Sequence, residues 1–278
     1  MAAGTLISVA PTGAETAKSA APALPVTLDE LVAAAKECEA AGAALVHVHL
    51  RDADGNSSLD IGALRDAVQA LRDSTDLVVQ LSTGGAVTDP EEARLRVLDA
   101  EPDAASITCG TVNFGDDVFL NRPPFIAALY QRMQETGVVP EFECFEPGHL
   151  ATVTRLVDRY GPPPGGHVHV DLVMGVPGAM PGTAAQLAAC VAALPDGATF
   201  SATGVGRTTL PVMLAALAHG GHLRVGMEDT LTFAAGRPVR DNAELVERAA
   251  TLATIAQRPP LSPRDARALL GVAERQKG

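Results

Sequence analysis

The sequence predicts a (β/α)₈ barrel, one domain over residues 1–278 with an extra helix near its C-terminus. Three observations predict it. Eight short β-rich runs alternate strictly with Ala/Leu-rich amphipathic segments, and such alternation builds a parallel sheet. No Pro/Gly/Ser-rich linker interrupts the eight units, which favours closure into a barrel over an open sheet. The length, 278 residues, is near the ~250 typical of this architecture.

The runs are Leu6–Val9, Leu45–Leu50, Leu77–Leu81, Ala105–Thr108, Glu141–Phe145, His167–Met174, Thr199–Ala202 and His222–Gly226. Between the first two lies LDELVAAAKECEAAG, with Thr27 expected as its N-cap and Gly42 as its C-cap. Residues 181–194 read as another helical segment. The extra helix follows Arg258, with Ser262 as N-cap and Pro263 in its first turn. An open Rossmann-like sheet is the rival architecture. Against it, Ala10-Pro11-Thr12-Gly13 stands where a G-x-G-x-x-G turn would follow the first strand.

Composition narrows the function classes. Hydrophobic residues make up 47% and aromatic ones only 3%, with no Trp, so the core is large and aliphatic. The net charge of −12 argues against nucleic acid and against an anionic membrane surface as partners. Cys38, Cys109, Cys144 and Cys190 contain no C-x-x-C pair, and read as buried thiols in a reducing compartment. No apolar run is long enough to span a bilayer, and the N-terminus lacks a basic segment followed by a long apolar one. The expected location is the cytoplasm.

Barrel enzymes place their chemistry at the C-terminal ends of the strands. The second run ends in His47-Val48-His49. The two-residue period of a strand sends both imidazoles to one face, here the lumen. With Glu228 from the end of the eighth run they match the three protein ligands of a catalytic zinc. His167-Val168-His169 has the same spacing, but it opens its strand, at the face that serves stability. Ser82-Thr83-Gly84-Gly85 is either a tight turn or a cradle for a small anion. Gly204-Val205-Gly206-Arg207 is likewise a turn or a phosphate contact. Asp229, beside Glu228, is a general base or a helix N-cap. Lysine occurs only at 18, 36 and 277, none at a strand end, so a Schiff-base mechanism has no candidate, and carbanion or enolate chemistry would have to use the metal as its electron sink.

Taken in order, PTGAET (11–16), HVHLRD (47–52), QLSTGGAV (80–87), GTVNFGDD (110–117), PEFE (140–143), GVPGAMPG (175–182), GVGR (204–207) and GGHLRVGMEDT (220–230) resemble the β-keto acid cleavage enzymes. The type example of that family works in lysine fermentation. The resemblance implies a zinc-dependent barrel that converts a β-keto acid and acetyl-CoA into acetoacetate and a new acyl-CoA. It implies that His47, His49 and Glu228 hold Zn²⁺, and that Asp229, oriented by Arg224, takes the C2 proton. Ser82, Gly85 and Ser106 would hold the substrate carboxylate; the family often has Thr at the Ser106 position and Asn at the Thr108 position. It also implies a homotetramer. Glu15 and Glu143 resemble the pair in members with amino substrates, so a cationic side chain, as in 3-keto-5-aminohexanoate or dehydrocarnitine, is expected. The alternative is that one of the two pairs with Arg51 or Arg224.

Two other classes compete. A metal-dependent barrel hydrolase also uses H-x-H, but there the pair follows the first strand, with further His ligands from strands 5 and 6. Here the pair follows the second, and the fifth offers Glu143. A non-catalytic binding barrel is disfavoured by the intact His47, His49, Glu228 and Asp229.

Overall fold

In the computed structural model, which describes residues 4–275, eight parallel strands close into a barrel. They are β1 (Ile7–Val9), β2 (Leu45–Val48), β3 (Val78–Leu81), β4 (Ala104–Thr108), β5 (Val139–Cys144), β6 (His169–Met174), β7 (Thr199–Gly204) and β8 (His222–Val225). Around the ring the order is β1-β8-β7-β6-β5-β4-β3-β2. Nine α-helices are described: α1 (Leu28–Ala41), α2 (Ile61–Ser74), α3 (Glu91–Arg96), α4 (Pro123–Thr136), α5 (Pro147–Tyr160), α6 (Ala184–Val191), α7 (Thr209–Ala218), α8 (Asn242–Ile255) and α9 (Pro263–Leu270). None is long and apolar enough to cross a membrane. Of the three lysines, Lys277 lies outside the described residues.

Local chemistry sets the helix ends. The Thr27 hydroxyl accepts from the Glu30 N–H, the Glu30 carboxylate accepts from the Thr27 N–H, and Gly42 takes the left-handed conformation that stops α1. Ser262 caps α9, with Pro263 where no N–H is needed. Thr183 caps α6, a shorter helix within the expected 181–194 segment.

Several strand ends shift by one or two residues from expectation, and two of the shifts fall on the His-Val-His pairs. The ladder pairs Val48 with Leu81 and stops, so His49 stands just past β2 rather than inside it. The chain then enters a hairpin that pairs Leu50–Arg51 with Ser57–Ser58. At the other end, β6 begins at His169, leaving His167 before the strand. Two more hairpins, 112–119 and 232–238, follow β4 and β8. All three therefore stand at the C-terminal mouth, where they shape the site.

The strands alternate apolar outward and polar inward. Phe142 packs outward against Tyr130 of α4, with ring centroids 5.8 Å apart, while its neighbours Glu141 and Glu143 are buried in the lumen. At the base the lumen is apolar on the side of β2 to β5. Leu45, Val78, Ala104 and Val139 cluster there with Ala266 and Leu270, so α9 closes the bottom of the barrel.

Candidate active site

His47 is fully inside, and its Nδ1 lies 2.5 Å from Gln80 Oε1 on the neighbouring β3. A carbonyl oxygen can only accept, so Nδ1 carries the proton and Nε2 presents a lone pair. That atom faces Glu228 Oε1 at 3.9 Å, and His49 Nε2 faces the same oxygen at 3.7 Å. One ligand atom from each of His47, His49 and Glu228 lies within 4.8 Å of the other two.

The donor set fits a divalent metal on two further counts. Burial, together with the Arg224 charge, pushes His47 down to about 3, so its imidazole is neutral, as a metal ligand must be. Burial also lowers His49. Meanwhile Glu228 Oε2 is buried without a hydrogen-bond partner. Burial alone would raise the Glu228 carboxyl, but Arg224 and the two imidazoles bring it down to about 2. An ionised carboxylate with a spare oxygen beside two neutral imidazoles is the set a catalytic zinc uses.

Arg224, near the end of β8, organises the acids. Its Nη1 donates to Glu143 at 3.0 Å, and its Nη2 to Glu228 at 2.5 Å. Its Nε and Nη2 reach the two oxygens of Asp229 at 3.3 and 3.2 Å. Asp171 lies 3.9 Å away and accepts from the Thr203 hydroxyl. Four carboxylates thus share one guanidinium, leaving an excess of negative charge under the mouth. Burial raises Asp229 to about 7 against the pull of Arg224, with Glu228 adding to the rise. Burial raises Glu143 and Asp171 as well. No helix starts at Asp229; the next, α8, is capped by Asp241.

The Ser82–Gly85 turn is braced from behind. Ser82 Oγ accepts from the Gly84 N–H at 3.1 Å, and the Thr83 hydroxyl donates to Ser106 O. Buried Arg94 donates to Thr83 O at 2.7 Å and to Leu120 O and Asn121 Oδ1, tying this turn to the 112–119 hairpin. Gly85 has φ 63° with the Asp89 carboxylate against its Cα, so no larger residue fits there.

The structure gathers most of the predicted residues around one cavity. Glu15, His47, His49, Ser82, Gly85, Glu143, Arg224, Glu228 and Asp229 line it. Ser106 does not; it is buried on β4, its hydroxyl without a partner. Glu15 and Glu143 are unlike each other. Glu15 is exposed on the loop after β1, in the field of Arg51, whereas Glu143 is held by Arg224 and by the Thr108 hydroxyl at 3.2 Å. Arg51 braces the loop by donating to Gly13 O and Thr16 O. Gly204–Arg207 is a turn: Gly206 N–H donates to Asp229 O at 2.7 Å, and Arg207 points to solvent.

Sequence reasoning missed Gln80, which orients His47, and an apolar side of the cavity built by Phe114, Phe119, Phe145, Val173, Val176 and Val205. The one signal for the hairpin that carries the first two is the turn pair Gly115-Asp116 in VNFGDDVF, between strands too short to show a period.

A parallel barrel with neutral imidazoles, an ionised carboxylate and a buried Arg–Asp pair at its mouth defines an enzyme site able to hold a metal. The chain belongs to the beta-keto acid cleavage enzyme family, whose model matches residues 5–272. It is 35% identical over 275 residues to the 3-keto-5-aminohexanoate cleavage enzyme of Acetoanaerobium sticklandii, covering 97% of this chain and 98% of that one. It is 34% identical over 272 residues to the 3-oxoadipate:acetyl-CoA acetyltransferase of Cupriavidus necator, covering 96% and 94%. It is 31% identical over 295 residues to the 3-dehydrocarnitine:acetyl-CoA trimethylamine transferase of Rhizobium meliloti, covering 97% of each. Among solved structures, apo ObcA superposes with a TM-score of 0.75 over 90% of this chain and 66% of that one; at 21% identity the likeness is one of fold.

Proposed function

We propose that this chain is a zinc-dependent acyltransferase that takes a β-keto acid and acetyl-CoA to acetoacetate and a new acyl-CoA. The convergence of His47, His49 and Glu228 within 4.8 Å, beside the Arg224–Asp229 pair, carries the reading. The relatives' names support the acetyl-CoA half of it. Zn²⁺ held by the three residues supplies a Lewis acid that lowers the cost of an enolate.

Asp229 takes the proton from C2, and the bidentate contact with Arg224 aims its carboxylate. The C2 carbanion then bonds to the thioester carbon of acetyl-CoA, and CoA leaves as a thiolate. The thiolate adds to C3, the C2–C3 bond breaks, and acetoacetate departs with its proton returned by Asp229. Ser82 and the glycine turn at Gly85 hold the substrate carboxylate where the braced loop lines the cavity. By family likeness the hydroxyl of Ser106, buried on β4 without a partner, joins them in holding that carboxylate.

Asp229→Asn tests the assignment. Metal content stays at the wild-type level, while acetyl-CoA-dependent acetoacetate formation falls about a thousandfold, the scale of a lost general base. An unchanged rate removes Asp229 from the chemistry. A barrel hydrolase, the rival reading, needs no acetyl-CoA and forms no acetoacetate.

We further propose that residues 1–278 form one catalytic domain and that the enzyme works in the cytoplasm as a homo-oligomer, a tetramer by family likeness.

A further inference from the structure

Across the mouth from the metal triad, the cavity has a different chemistry. The ring order puts β2 and β8, which carry the triad, on either side of β1. The opposite arc, β4 to β7, contributes Phe114 and Phe119 from the hairpin, Phe145 after β5, Val173 and Val176 at the end of β6, and Val205 after β7. These side chains pack into a single apolar cluster. The Phe114 and Phe145 rings meet edge-on at 6.3 Å, and the Gly115 N–H donates to Pro177 O at 2.8 Å, which fixes the hairpin to the loop after β6. Arg94 sits between Phe119 and Phe125 at 4.5 and 4.4 Å and holds the hairpin's exit through Leu120 O. The wall is therefore built before a ligand arrives.

The charged groups that line the cavity are either committed to one another or stand off this wall. Arg224 is surrounded by carboxylates, Glu143 is bonded to Arg224 and Thr108, and Glu228 and Asp229 belong to the triad and its base. Glu15 is exposed on the loop after β1, on the triad's side. The arc's buried acids, Glu143 and Asp171, are committed to Arg224 and to the Thr108 and Thr203 hydroxyls, and the six residues that form the wall are all apolar.

We infer that the β-keto acid taken here carries a neutral, apolar side chain, alkyl or aryl, seated against Phe114, Phe145 and Val176. This rests on the β-keto acid reading above. An ammonium or carboxylate placed on that wall loses its water and finds no partner. A methylene placed there gains about fourfold in affinity. The relatives named above act on acids whose side chains differ in charge, so overall likeness leaves the choice to the local wall.

Three six-carbon acids test it with the zinc-loaded enzyme and acetyl-CoA: 3-oxohexanoate, 3-keto-5-aminohexanoate and 3-oxoadipate. They share a backbone and differ in side-chain charge. The expected result is a kcat/KM for 3-oxohexanoate at least about tenfold above either charged acid. A charged acid that equals or exceeds it overturns the inference while leaving the β-keto acid reading intact. No acetoacetate from any of the three sinks that reading, and the inference with it. Phe114→Arg supplies the second measurement. It lowers kcat/KM for 3-oxohexanoate about tenfold, mainly through KM, with the KM for acetyl-CoA unchanged. A rise confined to the acetyl-CoA KM assigns the wall to the pantetheine arm and overturns the inference.

Discussion

At the end of β2, His47 and His49 turn their Nε2 atoms toward Glu228, while at the start of β6, His167 and His169 share the hydroxyl of Thr199 at 2.7 Å each. Both pairs read His-Val-His, and in both, burial lowers the imidazoles below their ordinary range. What they meet is different. At the mouth the partner is an ionised carboxylate brought by the last strand, with a cavity in front. At the base, His169 completes its bonds with Ser201 Oγ at 3.0 Å, from the neighbouring strand, and lines no cavity of the site. Equal spacing gives equal facing; the end of the strand decides whether the rings find a ligand or a hydroxyl.

The largest effect expected from this contrast is that of His47→Ala, which removes both bound metal and turnover; full zinc occupancy by metal analysis breaks the triad assignment. His169→Ala is the matched control at the base. It leaves the buried Ser201 hydroxyl without a partner and opens a cavity, while Thr199 keeps His167, and lowers stability by about 3 kcal/mol, read by denaturant unfolding. Metal content and turnover per folded molecule stay unchanged, and a loss of zinc would erase the distinction between the two pairs. Gln80→Leu probes how the mouth pair is tuned. Without the acceptor that fixes the His47 tautomer, zinc affinity falls about 10- to 100-fold, measured by competition with a chelator.

The smallest effect belongs to a charged cluster near the base. Asp103 accepts from Arg72, Arg267, Arg275 and the Val79 N–H. Burial would raise its carboxyl, yet these donors bring it from 3.8 down to about 2. A depressed folded-state value means its contribution is complete above pH 3.8 and is lost as pH falls toward 2. Asp103→Asn therefore costs about 2 kcal/mol at neutral pH and flattens the acid limb of the stability curve. An acid limb identical to wild type would show that Asp103 titrates alike in the folded and unfolded chains.

The strands and helix caps were legible because their signals are local. Thr27 with Glu30, and Ser262 before Pro263, satisfy helix N–H groups within four residues, whatever the rest of the chain does. The two-residue period of Glu141-Phe142-Glu143 and His222-Leu223-Arg224 likewise announces strands with one polar face. The placement of His49 beyond β2 was less legible, because where a ladder ends depends on its partner strand. The hairpins went unread for a related reason: each strand is only two or three residues long, too short for a period to show.

By itself the sequence determined the eight strand–helix units, the caps, and the residue types gathered at strand ends. The right-handed closure of parallel strands then puts those ends on one face. It also determined that a metal, not a lysine, must stabilise negative charge if such chemistry occurs. Tertiary structure alone decided which acids are committed and which surface is left for the substrate. Glu143 and Asp171 lie far from Arg224 along the chain, and only the closed ring places them on one guanidinium. Phe114, Phe145 and Val176 likewise become one wall only when loops from neighbouring strands pack together. Contacts of that kind depend on burial and on distances across the mouth, which no pattern along the chain records.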